Sequence, residues 1–204
     1  MPLQNRVSPF GELLADPARG DFFGNRGGRL HREDKTLGSR RYVSRAWICC
    51  VLSFKGRQRD VWGRSYSELF FLDEPTALAA GHRPCFECRR GEASDFARKF
   101  SGGDVRSSAG EMDLQLHRER LMSDGSKRLH PVLLDDVPDG AFVTFDGSES
   151  FAVKGSRLLR WSPAGYLGSV SRASGRAMML TPPGTTKALD GGYPPHWHAS
   201  AFSL

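Results

Sequence analysis

The sequence lacks most of the features that would place it quickly. No run approaches the roughly 18 consecutive apolar residues that cross a bilayer, so no membrane partner is expected. The first residues, Met1-Pro2-Leu3-Gln4-Asn5-Arg6, contain no apolar signal-like stretch, and the expected location is the cytoplasm. There is no P-loop with its Gly-Lys-Ser/Thr ending, no Rossmann glycine pattern and no EF-hand loop. Ser162 has no nucleophile-elbow context, and no Ser–His–Asp triad can be assigned. Cysteine is scarce, with four in 204 residues. A chain of this length, one or two domains, buries enough core to need no disulfide staple. Hydrophobic residues at 39% and charged residues at 25% exclude a disordered tail or a fibre.

What is present is an uneven charge. The net charge is +6. Residues 1–60 carry 12 Lys/Arg against 6 Asp/Glu, whereas the remainder carries 17 of each. The excess gathers between Phe22 and Arg59. A phosphate polymer is the commonest partner for such a surface, because each neutralised phosphate releases condensed counterions. The candidate contacts are Arg26, Arg29, Arg32, Arg40, Arg41, Arg45, Lys55, Arg57 and Arg59. The plainer alternative is a solvated basic face that aids solubility.

The pattern predicts an α+β protein: a small mixed zinc-knuckle lobe followed by a β-rich lobe. Residues 1–41 read as a basic, Gly/Arg-rich irregular segment, 42–130 as the knuckle domain and 131–204 as the β-rich lobe. In the first segment, Gly24-Asn25-Arg26-Gly27-Gly28-Arg29 has the make-up of an anion-binding nest, although a plain flexible loop is the simpler reading. Tyr42 to Phe54 reads as a buried strand and Tyr66 to Leu72 as a second. Asp73 can cap a short helix with Pro75 in its first turn and Gly81 at its end. A helix follows over about 92–100, and Ser108-Ala109-Gly110-Glu111 fits a capping box opening another to about Met122. In that last helix Asp113, His117 and Arg120 share a face. They are the candidate catalytic residues, against the simpler reading of a surface ion pair beside a partly buried His. Beyond Pro131, strands are expected at 141–145, 151–154, 157–161 and 176–180, punctuated by glycines. An internal echo joins Ala77-Leu78-Ala79-Ala80-Gly81-His82-Arg83-Pro84 to Ala188-Leu189-Asp190-Gly191-Gly192-Tyr193-Pro194-Pro195, near the far end of the chain, and suggests a distant repeat.

Cys85-x-x-Cys88 is the sharpest motif. Two intervening residues let both sulfurs reach one tetrahedral ion at about 2.3 Å. Arg83, Arg89 and Arg90 flank it and are expected to favour thiolate. Further donors are Cys49 and Cys50, of which a regular strand turns only one to a given face. The fourth ligand would be a His or a water: His82 is close in sequence, and His31 and His117 could approach through the fold. Three cysteines plus one histidine is the preferred set, and an all-cysteine site across a bulge the second. Zinc is the expected ion. Against it stands the possibility that the cysteines are simply core. His196-Trp197-His198 can present two imidazoles on an extended segment, although a packed Pro-rich tail is the simpler account.

The run from Leu69-Phe70-Phe71-Leu72-Asp73-Glu74 through Ala77-Leu78-Ala79-Ala80-Gly81-His82-Arg83-Pro84 to Cys85-Phe86-Glu87-Cys88-Arg89-Arg90 resembles the second half of the Ada-type metal-binding domain. That family has an aromatic strand, a short Ala-rich helix, a Gly-aromatic-Arg-Pro-Cys turn and Cys-x-x-Cys-Arg. The resemblance implies zinc on Cys85 and Cys88, contact with DNA phosphates, and a link to methylphosphotriester repair. This chain departs from the family where the first ligand pair should be spaced along its strand. Here Cys49 and Cys50 are adjacent, the stretch from Val51 to Pro84 makes a longer gap before Cys85, and methyl acceptance does not carry over.

Three functions follow. A zinc-stabilised nucleic-acid-binding protein, associated with DNA repair or processing, is the first. A metal-dependent hydrolase or nuclease is the second, with an open metal position and Asp113, His117 or His31 as base. A metal-free interaction module is the third.

Overall fold

The computed structural model describes residues 1–58, 60–103 and 105–204. Two six-stranded sheets and four α-helices make up its regular part, a mixed α+β architecture rich in strand. The first sheet contains β1 (Gln4–Val7), β2 (Leu13–Ala15), β3 (Phe22–Asn25), β4 (Ile48–Val51), β5 (Leu69–Phe71) and β6 (Arg83–Pro84) in the order β2-β1-β5-β3-β4-β6. Two of its pairings, β1 with β5 and β4 with β6, are parallel. The helices α1 (Glu74–Ala79), α2 (Arg90–Ser101) and α3 (Ala109–Arg120) come next in its neighbourhood. The second sheet holds β7 (His130–Leu133), β8 (Phe142–Thr144), β9 (Phe151–Lys154), β10 (Arg157–Ser162), β11 (Gly165–Ser171) and β12 (Arg176–Met179), in the order β11-β10-β9-β8-β12-β7. All its pairings are antiparallel. Helix α4 (Pro183–Asp190) follows. No helix among the described residues is long and apolar enough to cross a membrane.

The opening segment, expected to be irregular, supplies three short strands between its turns. Gly24 and Asn25, read above as part of a loop, lie buried in β3. Gly24 faces Cys49 across the ladder, and a Cβ there would sit 2.0 Å from the Ile48 carbonyl oxygen. Glycine is therefore required by close approach of the two strands.

Helix α1 lies at the centre. All six of its residues are buried. Leu78 enters the core formed by α2, α3, α4 and the second sheet. Ala77 and Ala80 enter the core beneath the first sheet, and Ala79 a third cluster with Phe142, Leu159 and Tyr166. Alanines let three layers approach one short helix without voids. The Asp73 side chain caps its start by accepting from the Thr76 amide at 3.0 Å. Its end carries the recurring motif. His82 N donates to Ala77 O at 2.9 Å with Gly81 at φ +88°, and at the end of α4 Tyr193 N donates to Ala188 O at 3.0 Å with Gly192 at φ +84°. The echo in sequence is thus the same helix-ending geometry, carried by two sheets of different strand order.

The first turn of α1 holds the two halves together. The Tyr166 hydroxyl donates to Asp73 Oδ2 at 2.8 Å. Glu74 accepts from the Tyr193 hydroxyl at 2.7 Å and the His196 amide at 2.9 Å, and pairs with Arg89 at 2.8 Å. Both partners of that ion pair are almost fully buried. Glu74→Ala strands the Arg89 guanidinium, and a loss of about 3–5 kcal/mol is expected. Glu149→Ala, at an exposed pair with Arg160, should cost less than about 1 kcal/mol. Urea unfolding of the two variants measures the contrast.

Candidate metal centre

The parallel pairing of β4 with β6 builds the centre. Ile48 lies opposite Arg83 and Cys49 opposite Pro84. Arg83 N donates to Trp47 O and Cys85 N to Cys49 O, each at 3.0 Å. The knuckle then turns back, with Arg89 N donating to Cys85 O at 3.0 Å as α2 begins. Side-chain alternation along β4 sends Cys50 to the knuckle face and Cys49 to the opposite one. The sulfurs of Cys50, Cys85 and Cys88 all lie within 4.8 Å of one another. A tetrahedral ion with sulfurs at about 2.3 Å needs them roughly 3.8 Å apart, a spacing within that bound.

The surroundings suit thiolates. Phe23, Ile48, Tyr66 and Phe70 pack around the sulfurs. Glu87 N donates to Cys85 Sγ at 3.4 Å, and the Val51 amide donates to Cys88 Sγ. Hydrogen bonding from the Cys50 thiol, with help from the knuckle amides, lowers Cys85 to about 5 and also lowers Cys88. The Cys50 thiol, buried and placed to donate to either of them, is pushed up. Three soft sulfur donors match zinc, cuprous or iron–sulfur chemistry and not that of hard cations. The cluster can hold a metal ion.

The other candidate ligands stand elsewhere. Cys49 is fully buried, with its sulfur 3.7 Å from Arg89 Nη1, and burial pushes its thiol up. His82 is held between Trp47 and Phe71 and accepts from Arg26 Nε at 3.4 Å. His31 stacks on Trp62 and has both ring nitrogens engaged, Nδ1 with Ser67 Oγ at 2.7 Å and Nε2 with Gly63 O at 2.9 Å. A carbonyl only accepts, so Nε2 carries the proton and Nδ1 receives the Ser67 hydroxyl. Neither histidine joins the three sulfurs. His196 and His198 do not converge either. His196 Nε2 lies 3.6 Å from Asp21, and His198 Nδ1 contacts Ser200. Trp197 between them packs on Tyr166.

The Asp113–His117–Arg120 stripe is divided among separate partners. Asp113 forms a two-point pair with Arg83, both contacts 2.8 Å. Arg120 donates to Gly81 O and Arg45 O, and to His117 Nδ1 at 3.3 Å. Two of the three arginines flanking the knuckle are likewise committed, and Arg90 is exposed. Arg83 is held by Asp113 and Arg89 by Glu74, so hydrogen bonds, not these cations, lower Cys85. Sequence reasoning singles out Asp113 by its place on α3 but not its pairing with Arg83, and it misses Glu74 altogether. Their only local mark is an acidic residue placed where a helix becomes buried.

Among the proposed phosphate contacts, Arg26 is buried and Arg57 pairs with Glu87. Arg29, Arg32, Arg40, Arg41, Arg45 and Lys55 are exposed. Arg59 lies outside the described residues. No family model, curated protein or solved structure matches this chain.

Two outcomes are expected. Cys50→Ser should abolish metal loading in native mass spectrometry, whereas Cys49→Ala should retain it. His82 is held neutral by burial and by Arg26 and Arg120, well below its ordinary pKa. Above about pH 6.5 it is uncharged whether folded or unfolded; below, only the unfolded chain takes up the proton. Stability should therefore fall with decreasing pH by up to about 1.4 kcal/mol per unit relative to His82→Gln, as read by urea unfolding at pH 7.5, 6 and 5.

Proposed function

We propose that this chain is a zinc-stabilised nucleic-acid-binding protein, with the ion held by Cys50, Cys85 and Cys88. The observation that carries the reading is the convergence of three sulfurs from β4 and the knuckle. The ion's role is structural: it ties the knuckle to the sheet at the base of the segment that bears Lys55 and Arg57. The exposed arginines between Arg29 and Arg45 supply the phosphate contacts. Arg29, Arg32 and Arg40 line one shallow concavity of about 270 Å³ with no acidic residue in its wall, a surface suited to a phosphate backbone. The resemblance of residues 69–90 to the Ada-type domain supports the same pairing of metal and phosphate contact, in the setting of DNA repair or processing.

A second reading, a metal-dependent hydrolase or nuclease, is favoured by the donor count. Three protein ligands with an open fourth position are the arrangement of catalytic zinc. In that case Cys50, Cys85 and Cys88 would hold the ion, water would take the remaining position, and nucleic acid incubated with the zinc-loaded protein would be cleaved.

Native mass spectrometry should find one zinc per chain, removed by a strong chelator and lost in Cys85→Ser. Fluorescence anisotropy with single- and double-stranded DNA and RNA should show affinity falling steeply with salt. Each of Arg29→Ala, Arg32→Ala and Arg40→Ala should reduce the log–log salt slope by about one. Absent or salt-independent binding to all four ligands overturns the nucleic-acid reading.

A further inference from the structure

A different group of cations gathers inside the molecule. Arg26, Arg120, Lys127 and the exposed Arg41 line a cavity of about 760 Å³. Its walls are the β1–β2 hairpin, the end of α1 and the turn after α3. Arg26 and Arg120 are each 1% exposed, and both stack on Trp47 with Cζ 3.9 Å from the ring centroid. Their hydrogen bonds go to neutral groups. Arg26 donates to Gly11 O, Arg41 O and His82, Arg120 to Gly81 O, Arg45 O and His117, and Lys127 to Ala79 O.

Among the described residues none of these four cations forms an ion pair. Asp113 offsets the charge of Arg120 in part, and Glu12 and Asp124 share the cavity wall, but no described carboxylate pairs with these cations. Asp113 is held by Arg83. Asp124 accepts from the Ser126 amide and hydroxyl, and Glu12 is exposed. The buried Arg120 Nε has no hydrogen-bond partner. Burial, with repulsion from Arg120 and Arg41, lowers Arg26 to about 9. Burial lowers Arg120 to about 9, and with the two arginines lowers Lys127 to about 7. Like charges held together without a counter-ion cost the fold stability, and an anion repays that cost.

We propose that this cavity binds a small organic phosphate, a phosphomonoester dianion of nucleotide size, with Lys127 and Arg41 on the phosphate, the buried Arg26 and Arg120 supplying positive field from behind the wall, and Phe10, Leu13 and Tyr42 against the organic part. Several cations around one space call for a dianion rather than a monocarboxylate. The two guanidinium groups fixed on Trp47 hold positive charge directly behind that space. The volume falls within the range of roughly 300–1,000 Å³ typical of small-ligand sites. The site is independent of the three sulfurs and of the exposed arginines.

The ligand can be a free phosphorylated metabolite or the 5′-phosphate of a strand end. Isothermal titration calorimetry on the full chain tests this with adenosine monophosphate, inorganic phosphate and adenosine. The monophosphate and phosphate should bind and adenosine should not. Arg120→Met and Lys127→Met should each weaken monophosphate binding by about tenfold or more. Arg98→Met, on the exposed face of α2, should leave it unchanged. Where Arg120→Met fails to fold, the half-buried Lys127 decides. Binding of the monophosphate no tighter than adenosine, or unaltered in Lys127→Met, overturns the proposal. A 5′-phosphorylated dinucleotide tested against its 5′-hydroxyl counterpart separates the sources. Its binding assigns a strand end, whereas binding of the mononucleotide alone assigns a metabolite, and either upholds the phosphomonoester.

Discussion

The structure depends on burying two adjacent carboxylates at the start of one short helix. Asp73 and Glu74 are shut away from water, which is unfavourable unless each is met by donors. The donors come from far along the chain: the Tyr166 and Tyr193 hydroxyls and the His196 and His198 amides. Arg89, immediately after the knuckle, supplies the compensating charge. The first sheet, the knuckle and the second half of the chain therefore share one polar junction. The alanines of α1 give the same junction an apolar counterpart by touching three cores at once.

Arg89 also links that junction to the sulfurs. It sits between Glu74 and the Cys49 thiol, while the adjacent Cys88 faces the other way into the cluster. Position on β4 separates the two neighbouring cysteines into different chemistry. Cys49 is a protonated core thiol beside a cation already satisfied by a carboxylate. Cys50 faces two acidified thiols and completes a soft donor set.

Much of this was legible where the signal is local. Asp73, Pro75 and Gly81 frame α1, and Ser108 with Glu111 forms the capping box of α3. Phe151–Lys154 is a strand with the bounds its pattern suggests. Strand alternation alone implies that Cys49 and Cys50 part company. The rest depends on distant partners. Strands β1 to β3 are very short, so only pairing defines them: β2 with β1, β1 with β5, and β3 with β4 and β5. Pro182-Pro183-Gly184 looks like a breaker, yet Pro fits the first turn of α4. Trp161 to Tyr166 reads as a turn, and it closes the hairpin of β10 and β11, the longest antiparallel pair in the second sheet. Charge counting cannot separate Arg26 and Arg120, which are walled in, from Arg29 and Arg40, which face solvent. The histidines likewise look alike in sequence, and only Ser67, Gly63 and Trp62 reveal His31 as a framework residue.

The long stretch from Val51 to Pro84 gives the sulfur cluster a reach beyond its own volume. An ion bridging β4 and the knuckle is a crosslink across that span, and it acts on the denatured ensemble as well as on the native one. By chain-closure entropy, a covalent link around such a loop is worth roughly 3–4 kcal/mol. Strands β5 and β6, helix α1 and the basic turn at Lys55 all lie within it. Were an ion held there, its release would restore conformational freedom to the same stretch that carries the buried acids, and metal supply would be thermodynamically linked to the cohesion of the two halves.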